Sequence, residues 1–115
     1  MPYISKDDVE TKEVEPKVFI RIMIDGSRGS QGIALVHGRF EPGGQLPWHT
    51  HDVEEALTVL EGSALSEVGD EVYNLGPGDA VLLPAHVPHR LTHAGEGDLV
   101  FVTAFNANAV VRLPA

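Results

Sequence analysis

The sequence predicts an all-β domain. Short apolar segments recur from residue 17 onward, and several of them are rich in Val, Ile and Phe. Turn-forming stretches separate them about every 8 to 12 residues, the spacing typical of a small sandwich or barrel. Twelve Gly and eight Pro residues in 115 fit a turn-rich globular chain, and 12.4 kDa is the size of one domain.

The predicted elements follow in chain order. Residues 1–16 are too charged for the apolar stretch of a signal peptide, and we expect a polar N-terminal segment there and a folded domain over 17–115. Residues 106–115 are expected to form a terminal strand or tail. Six strand-like segments lie between these ends: KVFIRIMI (17–24), IALVHGRF (33–40), ALTVL (56–60), VYNL (72–75), AVLL (80–83) and LVFVTAF (99–105).

One segment, residues 52–62, fits two structures. Its apolar residues have helical spacing, with an N-cap before them and a glycine after them: Asp52, Val53, Ala56, Leu57, Leu60 and Gly62. The β-branched Thr58 and Val59, and the short length, favour a strand instead. The local pattern leaves both structures open.

Charge and composition exclude several classes of function. The net charge of −9 has the wrong sign for neutralising nucleic-acid phosphates, so no nucleic-acid partner is expected. No apolar run is long enough to span a membrane, and we expect a cytoplasmic protein without a membrane partner. The chain has no cysteine, so a bound metal must be held by histidines and carboxylates.

Histidines cluster in the middle of the chain. Five of the six lie in one window, and two of them, His49 and His51, form an HxH pair whose rings would share one face of an extended strand. Glu55 has the parity to join that face if the chain stays extended or turns once tightly after His51, whereas Glu54 would point the other way. The segment HVPHRLTH (86–93) offers a further ligand. Three imidazoles and one carboxylate suit a divalent transition metal: Mn, Fe, Ni, Cu or Zn.

These residues resemble the two motifs of the cupin family. GGQLPWHTHDVEEALTVLEG (43–62) matches the first motif, G(x)5HxH(x)3E(x)6G, at Gly43, His49, His51, Glu55 and Gly62. GDAVLLPAHVPHRLTH (78–93) matches the second, G(x)5PxG(x)2H(x)3N, at Gly78, Pro84 and His89. It departs from the second motif twice, with His86 in place of the usual Gly and His93 in place of the usual Asn.

The resemblance implies a single double-stranded β-helix (cupin, or jelly-roll) barrel over 17–115, with residues 52–62 forming a strand. It implies metal ligation by His49, His51, Glu55 and His89. His93 is then expected beside the pocket as a hydrogen-bond donor to a ligand or as a proton carrier. Small cupins commonly dimerise through strands near the N-terminus, and residues 17–24, expected at a sheet edge, are the candidate for a homodimer contact.

The family's range of activities leaves the reaction open. Our first hypothesis is a metal-dependent, dioxygenase-like enzyme acting on a small organic substrate. The second is redox-neutral Lewis-acid chemistry, as in a lyase, isomerase or cyclase, and the third is a non-catalytic module that binds a metal or small ligand. Arg39 and Arg90 are the basic residues nearest the ligands in sequence and are candidates for an anionic substrate, and His37 has no assigned role.

Overall fold

The computed structural model describes residues 3–115, which form eleven strands and two short 3-10 helices, Lys6–Asp8 and Gly26–Arg28. In chain order the strands are β1 Lys12–Glu15, β2 Val18–Ile24, β3 Ala34–Phe40, β4 Gln45–Thr50, β5 Glu55–Glu61, β6 Ser63–Val68, β7 Glu71–Leu75, β8 Ala80–Leu83, β9 His89–Ala94, β10 Leu99–Phe105 and β11 Leu113–Pro114. Within this part of the chain, no helix has the length and apolarity that a membrane crossing requires.

The strands form two antiparallel sheets. The six-stranded sheet has the order β1-β2-β3-β10-β5-β8, and the five-stranded sheet has the order β11-β4-β9-β6-β7. The all-β prediction is confirmed. Segments 80–83 and 99–105 match strands β8 and β10 residue for residue.

The main core lies between the sheets. Buried residues alternate along β3, β5, β6 and β10, as the period of two requires. Phe40 packs edge-on against Phe101 with ring centroids 5.4 Å apart. The six-stranded sheet supplies most of the large buried side chains. The five-stranded sheet adds Ala64, Leu75 and Leu91.

The ambiguous segment, residues 52–62, contains strand β5. Glu55, Leu57 and Val59 are buried, whereas Leu60, which a helix would have turned inward with Leu57, is 52% exposed. Strand β5 pairs with β10 on one side and with β8 on the other. These two ladders satisfy its backbone groups and override the local helical pattern.

The expectation that residues 17–24 form a free sheet edge is wrong for their first half. Strand β1 pairs with Val18, Phe19 and Ile20, so β1 is the edge strand there. It lies inside the segment 1–16 that the sequence marks only as polar. The division of the chain at residue 16 stays a prediction.

Gly62 connects β5 to β6 in a conformation that only glycine adopts easily. Its φ is 76°, and a Cβ atom there would lie 2.3 Å from the carbonyl oxygen of Asp98. We therefore expect Gly62→Ala to lower the free energy of unfolding by about 3 kcal/mol, measured by urea denaturation. Gly29→Ala is the matched control, since Gly29 has φ 97° and no atom within 4 Å of such a Cβ, and it should cost about 1 kcal/mol. Equal losses in the two variants would contradict the steric explanation.

Candidate metal centre

Three imidazoles converge between the two sheets. His49 lies on β4 and faces His89 at the start of β9 as its register partner, while His51 follows the end of β4. All three side chains are buried, and each offers a nitrogen within 4.8 Å of the other two. The spacing suits one shared cation.

Glu55 reaches the same point from the opposite sheet. Its Oε1 atom lies 3.6 Å from Nε2 of His51 and 3.6 Å from Nε2 of His89. Residues 51–54 carry the chain from the five-stranded sheet to β5 of the six-stranded sheet. Glu55 therefore faces the imidazoles across the sandwich. The alternation of an extended strand predicts instead that Glu55 shares one strand face with His49 and His51. Glu54 is exposed.

A backbone carbonyl fixes the orientation of each ring. The Nδ1 atom lies 2.7 Å from the Pro47 oxygen in His49, 2.6 Å from the Val111 oxygen in His51 and 3.1 Å from the Val87 oxygen in His89. Because a carbonyl oxygen only accepts, each Nδ1 must carry the hydrogen and donate it. In a neutral ring this places a free lone pair on Nε2, which is the tautomer that a metal ligand needs.

The Nε2 atom of His89 shows that the site fits a cation. It is buried and, among residues 3–115, has no hydrogen-bond partner. Buried polar atoms without a partner are rare, since each loses its hydration without compensation. A divalent ion between Nε2 of His89, the other two rings and Glu55 would satisfy it.

Burial keeps His49 in the neutral form that ligation requires. Burial lowers the pKa of His49 to about 4, and the neighbouring His89 and His51 add to this, although the hydrogen bond to Pro47 acts in the opposite direction. Neutral imidazole is therefore available at pH 7 without a proton to displace.

The same shift predicts a pH dependence of stability for the metal-free protein. Because the folded pKa of His49 lies below the usual 6.5, the unfolded state binds more protons between about pH 4 and pH 6.5. The contribution of neutral His49 to the free energy of unfolding is complete above that pH window, and it is lost as the pH falls through the window. We expect the free energy of unfolding to drop by about 2 kcal/mol from pH 7 to pH 5, measured by urea denaturation in chelator. The drop should shrink by that amount in His49→Gln; an unchanged pH dependence would contradict the assignment.

Thr103 orients the carboxylate of Glu55 through a hydrogen bond. This buried residue of β10 donates its hydroxyl hydrogen to Oε2 of Glu55 at 2.6 Å, which leaves Oε1 facing the imidazoles. Partners of this kind commonly change metal affinity 10- to 100-fold. Thr103→Val should therefore weaken metal binding about 10-fold in calorimetric titration. Ser66→Ala removes another buried hydroxyl from the cavity wall and should leave the affinity within about twofold; equal effects would refute the role of Thr103.

A cavity of about 220 Å³ adjoins the imidazoles and Glu55. Its walls are mainly aliphatic and aromatic side chains from both sheets, among them Ile20, Val36, Leu46, Leu57, Leu91 and Phe101. Beyond the four candidate ligands, the polar side chains on its wall are Ser66, Thr103, Arg90 and Arg112. The arrangement can exclude water from a small and largely apolar molecule.

The other predicted residues lie in different surroundings. His93 has its Nε2 atom 2.6 Å from the Gly97 carbonyl oxygen, and it is absent from the part of the cavity wall formed by residues 3–115. His86 takes a positive φ of 68° in the turn where the cupin motif usually has Gly, and its N–H donates to the His51 carbonyl at 2.8 Å. His37 lies on the outer face of the six-stranded sheet, opposite Arg21.

The two predicted arginines have carboxylate partners of their own. Arg90 makes two contacts with Glu67, at 2.7 and 3.1 Å, and stacks over Trp48 at 5.1 Å, although part of it reaches the cavity wall. Arg39 lies outside the cavity and pairs with Glu41 and Asp98.

Three contributors to the site escape sequence reasoning. Thr103 is 48 positions away from Glu55, and Val111 is 60 positions away from His51. Arg112, which lines the cavity, lies with Val111 in the segment 106–115, which is predicted only as a terminal strand or tail. The alternation of β10 could have placed Thr103 inward, but nothing local links it to Glu55.

Together the two sheets and the buried histidine cluster define a small β protein with a possible metal site. A match to the family described as Cupin domain covers residues 36–105, and the chain belongs to this family. A germin-like protein of Morus alba is 35% identical in an alignment 82 residues long that covers 66% of this chain. The chain spans only 39% of that relative's length.

Solved structures share the fold. The polyketide cyclase RemF of Streptomyces resistomycificus is 26% identical with a TM-score of 0.83, and the match covers 99% of this chain and 82% of that one. An oxalate decarboxylase of Bacillus subtilis with Mn(II) centres is 21% identical with a TM-score of 0.83, over 94% of this chain and 30% of that one. At this low identity, the second match supports the fold alone.

Proposed function

We propose that the protein is a metal-dependent enzyme for a small, largely apolar organic substrate. His49, His51, Glu55 and His89 would hold one divalent transition ion: Mn, Fe, Ni, Cu or Zn. The observation that carries the proposal is the Nε2 atom of His89, which has no hydrogen-bond partner among residues 3–115 and is buried at a cavity whose wall is mostly apolar.

The residues of this chain would prepare the site in three ways. Backbone carbonyls hold the imidazole tautomers, Thr103 orients Glu55, and the apolar wall keeps water from the bound substrate. When bound, the ion would supply either activation of O₂ or Lewis-acid polarisation of a substrate oxygen.

Dioxygenase-like chemistry is our first candidate. The cavity wall, as described for residues 3–115, holds no histidine or carboxylate beyond the four candidate ligands, so a reaction that relies on O₂ and not on a separate proton carrier suits it. The test is oxygen-electrode screening of the Fe(II) and Mn(II) forms with phenolic, diketone and keto-acid substrates. Oxygen uptake should require the metal and fall in Glu55→Gln; no uptake with any substrate would count against this candidate.

Redox-neutral cyclase-like chemistry is the second candidate, and the 26% identity to a polyketide cyclase over 99% of the chain favours it. It predicts turnover with Zn or Ni under anaerobic conditions. The role of His93 as a proton carrier stays a prediction here. His93→Gln should slow turnover and change its pH profile if that role is correct, and equal rates and profiles would exclude it.

We further propose that the chain forms a homodimer through the outer face of the six-stranded sheet. Leu60 and Leu82 are about half exposed on that face. A second copy would cover both leucines. Light scattering at micromolar concentration should give twice the chain mass, and a monomer would refute the dimer.

A further inference from the structure

One ion pair joins the edges of the two sheets beside the cavity. Strand β1 is the outermost strand of the six-stranded sheet, and β11 is the outermost strand of the five-stranded sheet. Glu15 ends β1, Arg112 immediately precedes β11, and Arg112 Nη2 lies 2.9 Å from Glu15 Oε2. The pair therefore connects the sheets across one side of the sandwich.

The residues around this pair form part of the cavity wall. Val14, Val110 and Arg112 all line the cavity, so one partner of the pair and two nearby residues belong to its wall. The carbonyl of Val111, next to Arg112, accepts the hydrogen bond from His51. The segment that carries Arg112 thus contacts both the cavity and a candidate metal ligand.

Arg112 can exchange its partner more easily than the other cation of the cavity wall. Arg90 holds Glu67 through two nitrogens, whereas Arg112 contacts Glu15 through one. A guanidinium has five N–H donors, so Arg112 retains donors for a second carboxylate. The Arg112 and Glu15 side chains are 40% and 28% exposed, and such half-exposed pairs stabilise little.

We propose that Arg112 and Glu15 form an exchangeable ion pair at the cavity. The ligand is then an organic carboxylate whose anionic group replaces Glu15 on Arg112. The apolar part of the ligand would then lie along the aliphatic wall. This inference rests on the proposed function only in taking the cavity as the substrate site.

The test compares two probes of equal chain length, hexanoate and 1-hexanol, on the metal-free protein in chelator. NMR titration gives the dissociation constant of each probe for wild type, Arg112→Gln, Glu15→Gln and Arg39→Gln. Arg39→Gln is the matched control, because Arg39 is similarly exposed, at 42%, and its ion pairs lie away from the cavity.

If the ion pair is exchangeable, replacing its two partners should change the affinity for hexanoate in opposite directions. Arg112→Gln should weaken hexanoate binding about fivefold, and Glu15→Gln should strengthen it about twofold by removing the competing carboxylate. The affinity for 1-hexanol should change less than about twofold in any variant, and Arg39→Gln should match wild type for both probes.

Three results would overturn the proposal: no saturable binding of hexanoate to wild type, equal hexanoate affinity in wild type and Arg112→Gln, or shifts of the same sign in Arg112→Gln and Glu15→Gln. The last result would assign the pair a structural role alone. Because the titration uses metal-free protein, its outcome is independent of whether the histidine cluster binds an ion.

Discussion

Replacing Glu55 with glutamine is expected to weaken binding of Mn(II) and Zn(II) more than about a hundredfold. Even partners that only orient a metal ligand change affinity by 10- to 100-fold, so loss of a charged ligand should cost more. Glu55 is the acidic group that faces the imidazoles, at 3.6 Å from Nε2 of both His51 and His89. Calorimetric titration of the metal-free protein measures the affinity.

Glu54→Gln is the matched control for this experiment. It removes the same charge one position away, from an exposed side chain, and should leave the affinity within about twofold. Circular dichroism of both variants would show that the fold is retained. Equal affinities for Glu55→Gln and wild type would show that Glu55 is not a ligand.

The second large effect is on stability. His49 and His89 belong to the five-stranded sheet and Glu55 to the six-stranded sheet, so a bound ion would link the two sheets. A ligand that binds only the folded state stabilises it by about 4 kcal/mol at a thousand times its dissociation constant. We therefore expect Zn(II) or Mn(II) at that excess to raise the free energy of unfolding by about 4 kcal/mol, measured by urea denaturation.

The gain in stability should depend on the ligands. Glu55→Gln, with its affinity lowered more than about a hundredfold, should gain at most about 1.4 kcal/mol at the same metal concentration, and excess chelator should remove the gain from wild type. A metal-induced gain of equal size in wild type and Glu55→Gln would mean that the ion binds elsewhere.

Much of the fold follows from local sequence. Segments such as 80–83 and 99–105 are apolar, β-branched and bounded by turn residues, and the structure has strands at the same positions. Residues 52–62 show the limit of such patterns, since the helical spacing of Ala56, Leu57 and Leu60 is overridden by pairing with two strands distant in sequence. Strand β1 escapes prediction because its KEVE sequence is polar, and pairing with β2 stabilises it.

The candidate site follows from sequence only in part. The HxH pair, Glu55 and His89 stand out by residue type and motif spacing, and the structure brings all four together. Their supporting contacts involve Thr103 and the Val111 carbonyl, whose partners lie 48 and 60 positions away. Such contacts arise from strand order, which no local pattern encodes.

The proposed role of His49, His51, Glu55 and His89 depends above all on whether the protein binds a metal. Chelator-treated protein would be offered Mn, Fe, Ni, Cu and Zn in turn, freed of unbound ion by gel filtration, and analysed by plasma mass spectrometry. If the histidine cluster and Glu55 bind a metal, the protein should retain about one ion per chain for at least one of these metals. Failure to retain a stoichiometric amount of any of them would contradict that role.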